Sequence, residues 1–504
     1  MTLYSSIGNC TASAIPYPVI FGAEFVAIEA QPVLNYNGSD IENRLWHNHG
    51  LLPTNVSVTF CNVTLTHTHP GKDDMLRTQI WLPLNPTWNK RMFGGLTEGF
   101  ATSSVDGGVQ IENALSVASW ALTSPGNVDY NALQNFAFNG LIDGAMATKQ
   151  VIESFHGHGP DYSYWNGCSQ GDRQGYMFAQ KFPEVFDGIA AAAPAINWSS
   201  FFFSSTFPQQ VLSEPAQNGL KRFPHECEFL SLRRAAIAAC DANGRPVDGL
   251  ISDMASCKFD ARSMIGSPSN CSSSGTPSVI SEAAVMAMNA LWQGAQTSDR
   301  SFLWCPHGYQ TDPTAFYGTL DNTCSDNGTC VLERNTLFTH WIKYFVEKDP
   351  DFDLNSMTRQ EFVRAFNAGT RDYNSIIDTD YPDLRDFRAA GGKLLTYHGL
   401  VTDQSIPYGG TGDYYDRVSA LDPALRDFYR YFEVLGAAHC EAGQGDVPTG
   451  LFAALVDWVE NGIAPETLVA RNAEDKERLL CQYPKKAVFT GNPANYTAAN
   501  SVCQ

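Results

Sequence analysis

The sequence has little positive charge. Its 504 residues include 33 Lys or Arg and 53 Asp or Glu, which gives a formal net charge of −20 and a pI of about 4.9. Nucleic acids and anionic membrane surfaces would repel such a chain, so neither is expected as a partner. No apolar run approaches the length of a membrane-spanning helix, so no membrane span is predicted.

Charged residues of either sign are also few, at 17%, while hydrophobic residues make up 43%. This composition is typical of a folded globular protein. A chain of 504 residues is too long for one compact core, which predicts about two domains.

The 13 cysteines show no paired C-x-x-C spacing, which argues against a zinc site built from them. They are too many for a reducing cytosol. Together with eight N-x-S/T sequons they predict an extracellular glycoprotein. No signal peptide is visible at Met1, so a mature secreted sequence with an added start residue is expected. The sequons lie at Asn9, Asn37, Asn55, Asn62, Asn197, Asn270, Asn327 and Asn495.

The stretch 162–171 predicts a short strand that turns sharply into a helix. Gly167 and Gly171 flank Ser169 in the G-x-S-x-G pattern of a nucleophile elbow. Side chains at both glycine positions are expected to collide with the tight turn. The turn would present the hydroxyl of Ser169 at the end of a sheet, beside a helix N-terminus. Ser169 is therefore the candidate nucleophile, and an ordinary turn is the alternative.

A histidine near the C-terminus strengthens this interpretation. His439 precedes Cys440, just as Ser169 follows Cys168. If His439 acts as the base for Ser169, the two cysteines come within the Cα distance that a disulfide requires. Asp403 follows an apolar strand predicted over 393–397, which should end in a His-Gly turn. The order Ser, Asp, His is that of the α/β-hydrolases, so Asp403 is the candidate acid.

These motifs together resemble the tannase and feruloyl esterase family. The resemblance rests on Gly-Cys-Ser169-x-Gly, on Asp403 after a Tyr-His-Gly strand and on His439-Cys440, and it extends over nearly the whole chain. It implies an α/β-hydrolase fold with a large inserted lid, in which residues 1–196 and 384–504 form the catalytic domain and residues 197–383 the lid. It also implies a serine esterase that acts on hydroxycinnamate esters of plant cell-wall sugars or on galloyl esters of tannins.

The resemblance further implies disulfides Cys10–Cys61, Cys168–Cys440, Cys240–Cys257 and Cys481–Cys503. Separately, the close spacing of Cys324 and Cys330 predicts a short loop bridge. Cys227, Cys271 and Cys305 remain, and one of these three must be free or capped.

The pattern of apolar and polar residues predicts further elements of the catalytic domain. Alternation predicts strands over 56–60 and 78–82, and apolar spacing predicts a helix over 131–154. A glycine-rich loop over 94–100 is where an α/β-hydrolase supplies its second oxyanion donor, here Gly99 or Glu98, to join the backbone N–H of Gln170. A flexible surface loop is the alternative. Residues 187–194 predict a small-residue strand, and residues 451–460 a helix packed on the sheet.

Residues 197–383 show no strong βα alternation, contain many aromatic residues and include predicted helices over 230–239 and 282–292. Within this lid, residues 240–250 resemble the family's calcium loop. The implied ligands of a structural calcium are Asp241, Asp248, Pro246 and Leu250, although Gly244 stands where the family has a further aspartate. An Asx turn beside a Cys240–Cys257 bridge is the alternative.

Other histidines compete for the role of base. His67-Thr68-His69 and His156-Gly157-His158 could each bring two imidazoles together. Neither pair has an acid or thiol at ligand spacing in the sequence, so ordinary strand or loop histidines are expected there. The remaining candidates are His47, His49 and His398.

The predicted chemistry is two-step acyl transfer with no required cofactor, in which Ser169 attacks an ester carbonyl and His439 accepts its proton. The substrate would be a small aromatic ester or a feruloylated oligosaccharide. Since the base must be unprotonated, an optimum near neutral or mildly acidic pH is expected. The alternatives are a tannase, a non-catalytic binder of phenolics or carbohydrates on the same fold, and a peptidase. The sequence is silent on oligomeric state.

Overall fold

The computed structural model describes residues 7–37, 57–92, 99–109, 117–214, 223–243, 247–269, 278–325, 330–333, 336–440, 447–472, 476–491 and 497–504. The strands are β1 Glu24–Asn37, β2 Ser57–Thr68, β3 Leu76–Asn85, β4 Arg91–Met92, β5 Thr102–Val105, β6 Leu122–Ser124, β7 Asn127–Val128, β8 Tyr162–Cys168, β9 Gly188–Ala192, β10 Pro268–Ser269, β11 Ser278–Val279, β12 Ala295–Gln296, β13 Phe302–Trp304, β14 Asp321–Cys324, β15 Cys330–Glu333, β16 Lys393–Leu400, β17 Tyr429–Leu435, β18 Thr467–Arg471, β19 Glu477–Cys481, β20 Ala487–Phe489 and β21 Ser501–Cys503.

The α-helices are α1 Tyr130–Gln134, α2 Gly140–His156, α3 Gln170–Lys181, α4 Trp198–Ser213, α5 Glu226–Cys240, α6 Glu282–Gln293, α7 Thr336–His340, α8 Arg359–Ile377, α9 Arg385–Ala389, α10 Gly409–Leu421 and α11 Leu451–Asn461. Two π-helical turns, Asn135–Asn139 and Trp341–Val346, join α1 to α2 and extend α7. In the described part of the chain no helix is both long and apolar enough to cross a membrane.

A parallel sheet forms the centre of the fold. Its described strands are ordered β17-β16-β9-β8-β4, and every neighbouring pair is parallel. Parallel strands need crossover connections, and in this fold they include α3 after β8 and α10 after β16. The predicted α/β class is confirmed. Because all five strands run the same way, the segments that follow β8, β16 and β17 emerge at one edge.

A second sheet precedes it in the chain. β1, β2, β3 and β5 pair antiparallel in that order. Residues alternate between buried and partly exposed along β2, as expected for a sheet with one face against a core. Helix α2 packs on β3 and β5, so it connects this sheet to the parallel one.

Hydrophobic side chains gather in several cores. The largest combines the two sheets with helices α2, α3 and α10. Another, rich in aromatic rings, combines much of 197–377 with residues 121–137. The N-terminal part of the chain therefore contributes to the core beneath the predicted lid. The boundaries at 197 and 383 stay a prediction.

Most predicted elements are present with shifted ends. The helix predicted over 131–154 is present but contains the π-helical turn. Strand β16 does not end at a His-Gly turn as expected; it continues through His398 and Gly399 to Leu400, because pairing with β17 extends to its last residue. The C-terminal helix α11 packs on β9 and β16.

Five disulfides have both cysteines among the described residues, and they match the expected pairs. They are Cys10–Cys61, Cys168–Cys440, Cys240–Cys257, Cys324–Cys330 and Cys481–Cys503. Of the three cysteines left over, Cys227 is disulfide-bonded and Cys305 is free. Cys271 lies outside the described residues.

Candidate active site

Ser169 lies in the sharp turn between β8 and α3. Its backbone has φ 61° and ψ −120°, a combination that side-chain-bearing residues rarely adopt and that costs about 1–3 kcal/mol. Neighbouring backbone stabilises the turn, since Ser169 N–H donates to Ala192 O (3.0 Å) and Ser169 O accepts from Arg173 N–H (3.0 Å) and Ala195 N–H (3.2 Å). The strand, turn and helix expected around this serine are therefore present.

The two glycines of the motif differ in what they do. A Cβ on Gly167 would lie 2.7 Å from the carbonyl carbon of Gly171 and 2.9 Å from a carboxylate oxygen of Asp172, so the turn leaves no space for a side chain there. A Cβ on Gly171 would meet no heavy atom within 4 Å. The expectation that both positions exclude side chains is wrong for Gly171, because it already lies on the open side of the first turn of α3.

His439 and Asp403 meet at the same edge of the sheet. His439 follows β17 and Asp403 follows β16, and both side chains are buried. His439 Nδ1 lies 2.9 Å from Asp403 Oδ2. The backbone N–H of His439 donates to Gln404 Oε1 (3.1 Å), so neighbouring residues fix both the ring and the main chain of this histidine.

Asp403 is held as a carboxylate by many donors. Its Oδ1 accepts the backbone N–H groups of Ser405 and Ile406, each at 2.8 Å. Its Oδ2 faces His439 and also His398 Nε2 at 3.1 Å. Burial alone would raise the pKa of Asp403. Attraction between its carboxylate and the charged forms of His439 and His398, together with their hydrogen bonds, outweighs burial and holds the pKa well below the usual range.

His398 has a role that sequence reasoning did not find. The sequence offers it only as a competing base, but its side chain is fully buried in β16. Its Nε2 faces Asp403 Oδ2 and, at 3.2 Å, the carbonyl of Ile406. Two oxygen acceptors there require the Nε2–H tautomer, so Nδ1 accepts the hydroxyl of Thr411 (2.8 Å). His398 therefore orients Asp403 instead of serving as base.

His307 contributes from the region of the predicted lid. Its Nδ1 lies 3.1 Å from the carbonyl oxygen of Asp403, and burial lowers its pKa to about 4. A neutral imidazole there can donate to that carbonyl without adding charge. Neither His307 nor Gln404 belongs to a local motif, so no spacing rule would have found them.

The disulfide Cys168–Cys440 joins the two halves of the site. Its Cα atoms are 5.9 Å apart although the cysteines are 272 positions apart in sequence. Ser169 is bonded directly to Cys168 and His439 directly to Cys440. The bridge thus holds the turn with the serine next to the loop with the histidine.

The oxyanion donors remain predictions. Gln170 begins α3, and its side-chain oxygen accepts from Arg173 Nε (2.7 Å). Gly99 has φ 85°, and its carbonyl accepts from Asn89 N–H (2.9 Å). Residues 93–98, including the alternative donor Glu98, lie outside the described residues.

The candidate calcium loop shows the contacts of a turn. Asp241 Oδ2 accepts from Gly249 N–H (2.8 Å) and Oδ1 from Asp248 N–H (3.3 Å). Asp248 pairs with Arg478 at 2.8 Å and accepts from Leu250 N–H at 3.2 Å. Both carboxylates thus already have partners, which fits the Asx-turn alternative. Pro246 and Gly244 lie outside the described residues, and calcium binding stays a prediction.

The other histidines fall into three groups. His156 stacks on Trp88 with ring centroids 4.2 Å apart, and His158 lies beside the same indole. His47 and His49 lie outside the described residues. His69, in contrast, has acidic partners: it lies 2.7 Å from Asp74 and 2.8 Å from Asp143. Asp143 is supplied by another part of the fold and not by local spacing, and the expectation that His67 and His69 are ordinary strand or loop histidines stays a prediction.

Known proteins of similar sequence show the family to which this chain belongs. The sequence pattern described as "Tannase and feruloyl esterase" matches residues 81–504. A "Probable feruloyl esterase" from Arthroderma benhamiae is 32% identical over 471 residues, covering 88% of this chain and 85% of that protein. This chain belongs to the tannase and feruloyl esterase family. It is a carboxylic ester hydrolase of the serine esterase type.

Other members are more distant. The "Tannase" of Aspergillus oryzae is 27% identical to this chain, and the match covers 89% of this chain and 87% of that protein. Among solved structures, "Tannin acyl hydrolase from Aspergillus niger" has a TM-score of 0.83 at 26% identity, covering 100% of this chain and 96% of that chain. "Crystal structure of feruloyl esterase B from Aspergillus oryzae" has a TM-score of 0.77 at 24% identity, covering 100% of both chains, which supports the fold alone. The esterase shares its architecture with members of both named activities.

Proposed function

We propose that this esterase releases hydroxycinnamic acids of the ferulic type from plant cell-wall esters, with Ser169 as nucleophile, His439 as base and Asp403 as its acidic partner. The observation that carries the proposal is the 2.9 Å contact between His439 Nδ1 and Asp403 Oδ2, positioned by the Cys168–Cys440 disulfide beside the serine turn.

The chemistry follows from these groups. Asp403 accepts a hydrogen bond from Nδ1–H of His439, which leaves Nε2 free to take the proton of Ser169 as the hydroxyl attacks the ester carbonyl. Backbone N–H groups of Gln170 and Gly99 would stabilise the oxyanion, each contributing about 3 kcal/mol to the lowering of the barrier. The alcohol leaves with a proton from His439, and water then attacks the acyl-enzyme by the same steps.

The substrate assignment has two supports. The first is similarity to proteins named feruloyl esterase. The second is an aromatic surface at the loop that carries Asp403. Phe316 exposes 60% of its surface, its ring lies 3.9 Å from that of Tyr317, and its carbonyl accepts from Gln404 Nε2 (3.0 Å). Gln404 in turn contacts the backbone of His439. The segment that carries Phe316 is thus joined to the one that carries the histidine, and its exposed ring is a candidate to pack against an aromatic acyl group.

Several aromatic residues of the lid contact one another. Trp198, Phe202, Trp341, Phe345 and Tyr373 pack on one another in a buried core. The aromatic content of the lid therefore reflects its own folding more than its substrate.

A second candidate is hydrolysis of galloyl esters, favoured by similarity to the Aspergillus oryzae tannase and to the tannin acyl hydrolase structure. We further place the esterase outside the cell, in keeping with its disulfides.

One experiment tests both parts of the proposal. Rates would be measured with methyl ferulate, methyl caffeate and methyl gallate for the wild type, for Ser169→Ala and for Ser154→Ala, an exposed helical serine that donates only to Val151 O in its own helix. We expect the highest kcat/KM on methyl ferulate, loss of turnover in Ser169→Ala and no change in Ser154→Ala. Turnover retained by Ser169→Ala would refute the mechanism, and preference for methyl gallate would favour the tannase alternative.

A further inference from the structure

The antiparallel sheet and helix α2 enclose a cluster of His67, His69 and Asp143. His67 is the second-to-last residue of β2 and His69 directly follows that strand. The two side chains lie on the same side, with ring centroids 5.7 Å apart. Asp143 lies in the first turn of α2. One ligand-type atom from each residue lies within 4.8 Å of the others, which is close enough for all three to bind a single ion.

The tautomer of His69 is fixed by its neighbour. Asp74 Oδ1 accepts from the backbone N–H of His69 (2.9 Å) and the hydroxyl of Thr68 (3.1 Å). Asp74 Oδ2 accepts from the amides of Asn131 (3.1 Å) and Asn135 (2.8 Å). A carboxylate with so many donors is an acceptor only, so His69 Nδ1, 2.7 Å away, must carry a hydrogen.

With the hydrogen of His69 on Nδ1, its Nε2 and the carboxylate of Asp143 are both acceptors and face each other. In the neutral imidazole, His69 Nε2 presents a lone pair to Asp143 Oδ2 at 2.8 Å. His67 is fully buried, and neither of its ring nitrogens has a hydrogen-bond partner in the described part of the chain. His67 Nε2 lies 3.8 Å from the same carboxylate oxygen. A buried polar group without a partner destabilises the fold.

A proton on His69 Nε2 would satisfy one contact and leave His67 without a partner. A divalent cation would satisfy all three groups, because each would donate a lone pair to it. Ligand atoms about 2.0–2.1 Å from a tetrahedral ion are about 3.4 Å apart, and the two distances to Asp143 Oδ2, 2.8 and 3.8 Å, lie on either side of that value.

We propose that His67 Nε2, His69 Nε2 and an oxygen of Asp143 bind one Zn²⁺-type divalent cation. Two imidazoles and a carboxylate are ligands typical of first-row divalent metals. Hydrogen bonding of a ligating imidazole to a carboxylate, as from His69 to Asp74, is the usual support of such sites. The side chains of His69 and Asp143 are 16% and 11% exposed, which leaves an entry path and room for water as a fourth ligand.

The ion would have a structural role. It would join the end of β2 to the start of α2, the helix whose other end leads into β8 and Ser169. The site is separate from the proposed triad, and its test does not use ester turnover as the readout.

The experiment uses the full-length esterase, stripped with a chelator and titrated with Zn²⁺ or Co²⁺. His67→Phe keeps a ring beside Phe25, whose centroid lies 5.0 Å from that of His67, and removes the ring nitrogens. Asp143→Asn is the second variant. Zn²⁺ per chain would be measured by mass spectrometry, Tm by thermal shift, and the Co²⁺ form by its visible absorption.

We expect the wild type to bind one more Zn²⁺ per chain than either variant. At a Zn²⁺ concentration of about 100 times Kd, its Tm should rise by about 3 °C, and visible bands of four-coordinate Co²⁺ should appear. Neither variant should show this rise or these bands. Equal Zn²⁺ content and equal Tm shifts in the wild type and a folded variant would overturn the proposal, as would a wild type that binds no Zn²⁺.

Discussion

Replacement of Asp403 by asparagine tests how the carboxylate directs His439. Two backbone N–H groups, from Ser405 and Ile406, donate to Oδ1 at 2.8 Å. In Asp403→Asn the amide oxygen must take that position, since the amide nitrogen would meet two donors there. The NH₂ group is then placed where Oδ2 was, 2.9 Å from His439 Nδ1.

An NH₂ group in that position would need an acceptor. His439 would have to carry its hydrogen on Nε2 and accept at Nδ1, so Nε2 could no longer take the proton of Ser169. His398 Nε2–H, 3.1 Å away, would also face a donor. We expect kcat to fall by about 10⁴-fold, which corresponds to about 5.5 kcal/mol of lost transition-state stabilisation.

The assay is steady-state hydrolysis of methyl ferulate at pH 7, with Tm and circular dichroism to verify folding. Asp378→Asn is the matched control, because it makes the same chemical change at another buried aspartate, whose carboxylate accepts from Ser199 and Asn374 and not from the groups of the proposed triad. It should retain the wild-type kcat. If folded Asp403→Asn kept a tenth or more of the wild-type kcat, the tautomer argument would be refuted.

Two further predictions concern stability. Gly167→Ala should lower Tm strongly or prevent folding, because its Cβ would lie 2.7 Å from backbone atoms. Gly171→Ala has open space around its Cβ and should leave Tm unchanged or raise it. Equal effects of the two substitutions on Tm would contradict this. Burial raises the pKa of Asp378 to about 7 despite hydrogen bonds from Ser199. The folded state therefore keeps a proton that the unfolded state loses above about pH 4, so this group lowers the free energy of unfolding as pH rises from 4 to 7. The fall of Tm over that range should be smaller in Asp378→Asn, and an unchanged fall would show that the group does not titrate there.

Local sequence determined the features of this esterase that depend on interactions between residues close together in the chain. The turn around Ser169 requires glycine at position 167 and reads directly as strand, turn and helix. Alternation of residues identified β2 and β3 in part, and apolar spacing identified the helix that contains α2. Cysteines beside the serine and the histidine indicated the long-range Cys168–Cys440 contact, because a disulfide is one of the few distant contacts that residue type makes visible.

Only the tertiary structure decided which side chains from distant segments of the chain come into contact. Asp143 reaches His69 across 74 positions only because α2 packs on the antiparallel sheet, so no spacing rule could pair them. His307 reaches Asp403 for a similar reason, across 96 positions from the region of the predicted lid. His398 is only five positions from Asp403, but its burial inside β16 was not visible in the sequence. Burial and hydrogen-bond direction gave these histidines different roles, and both properties arise only once the chain has folded.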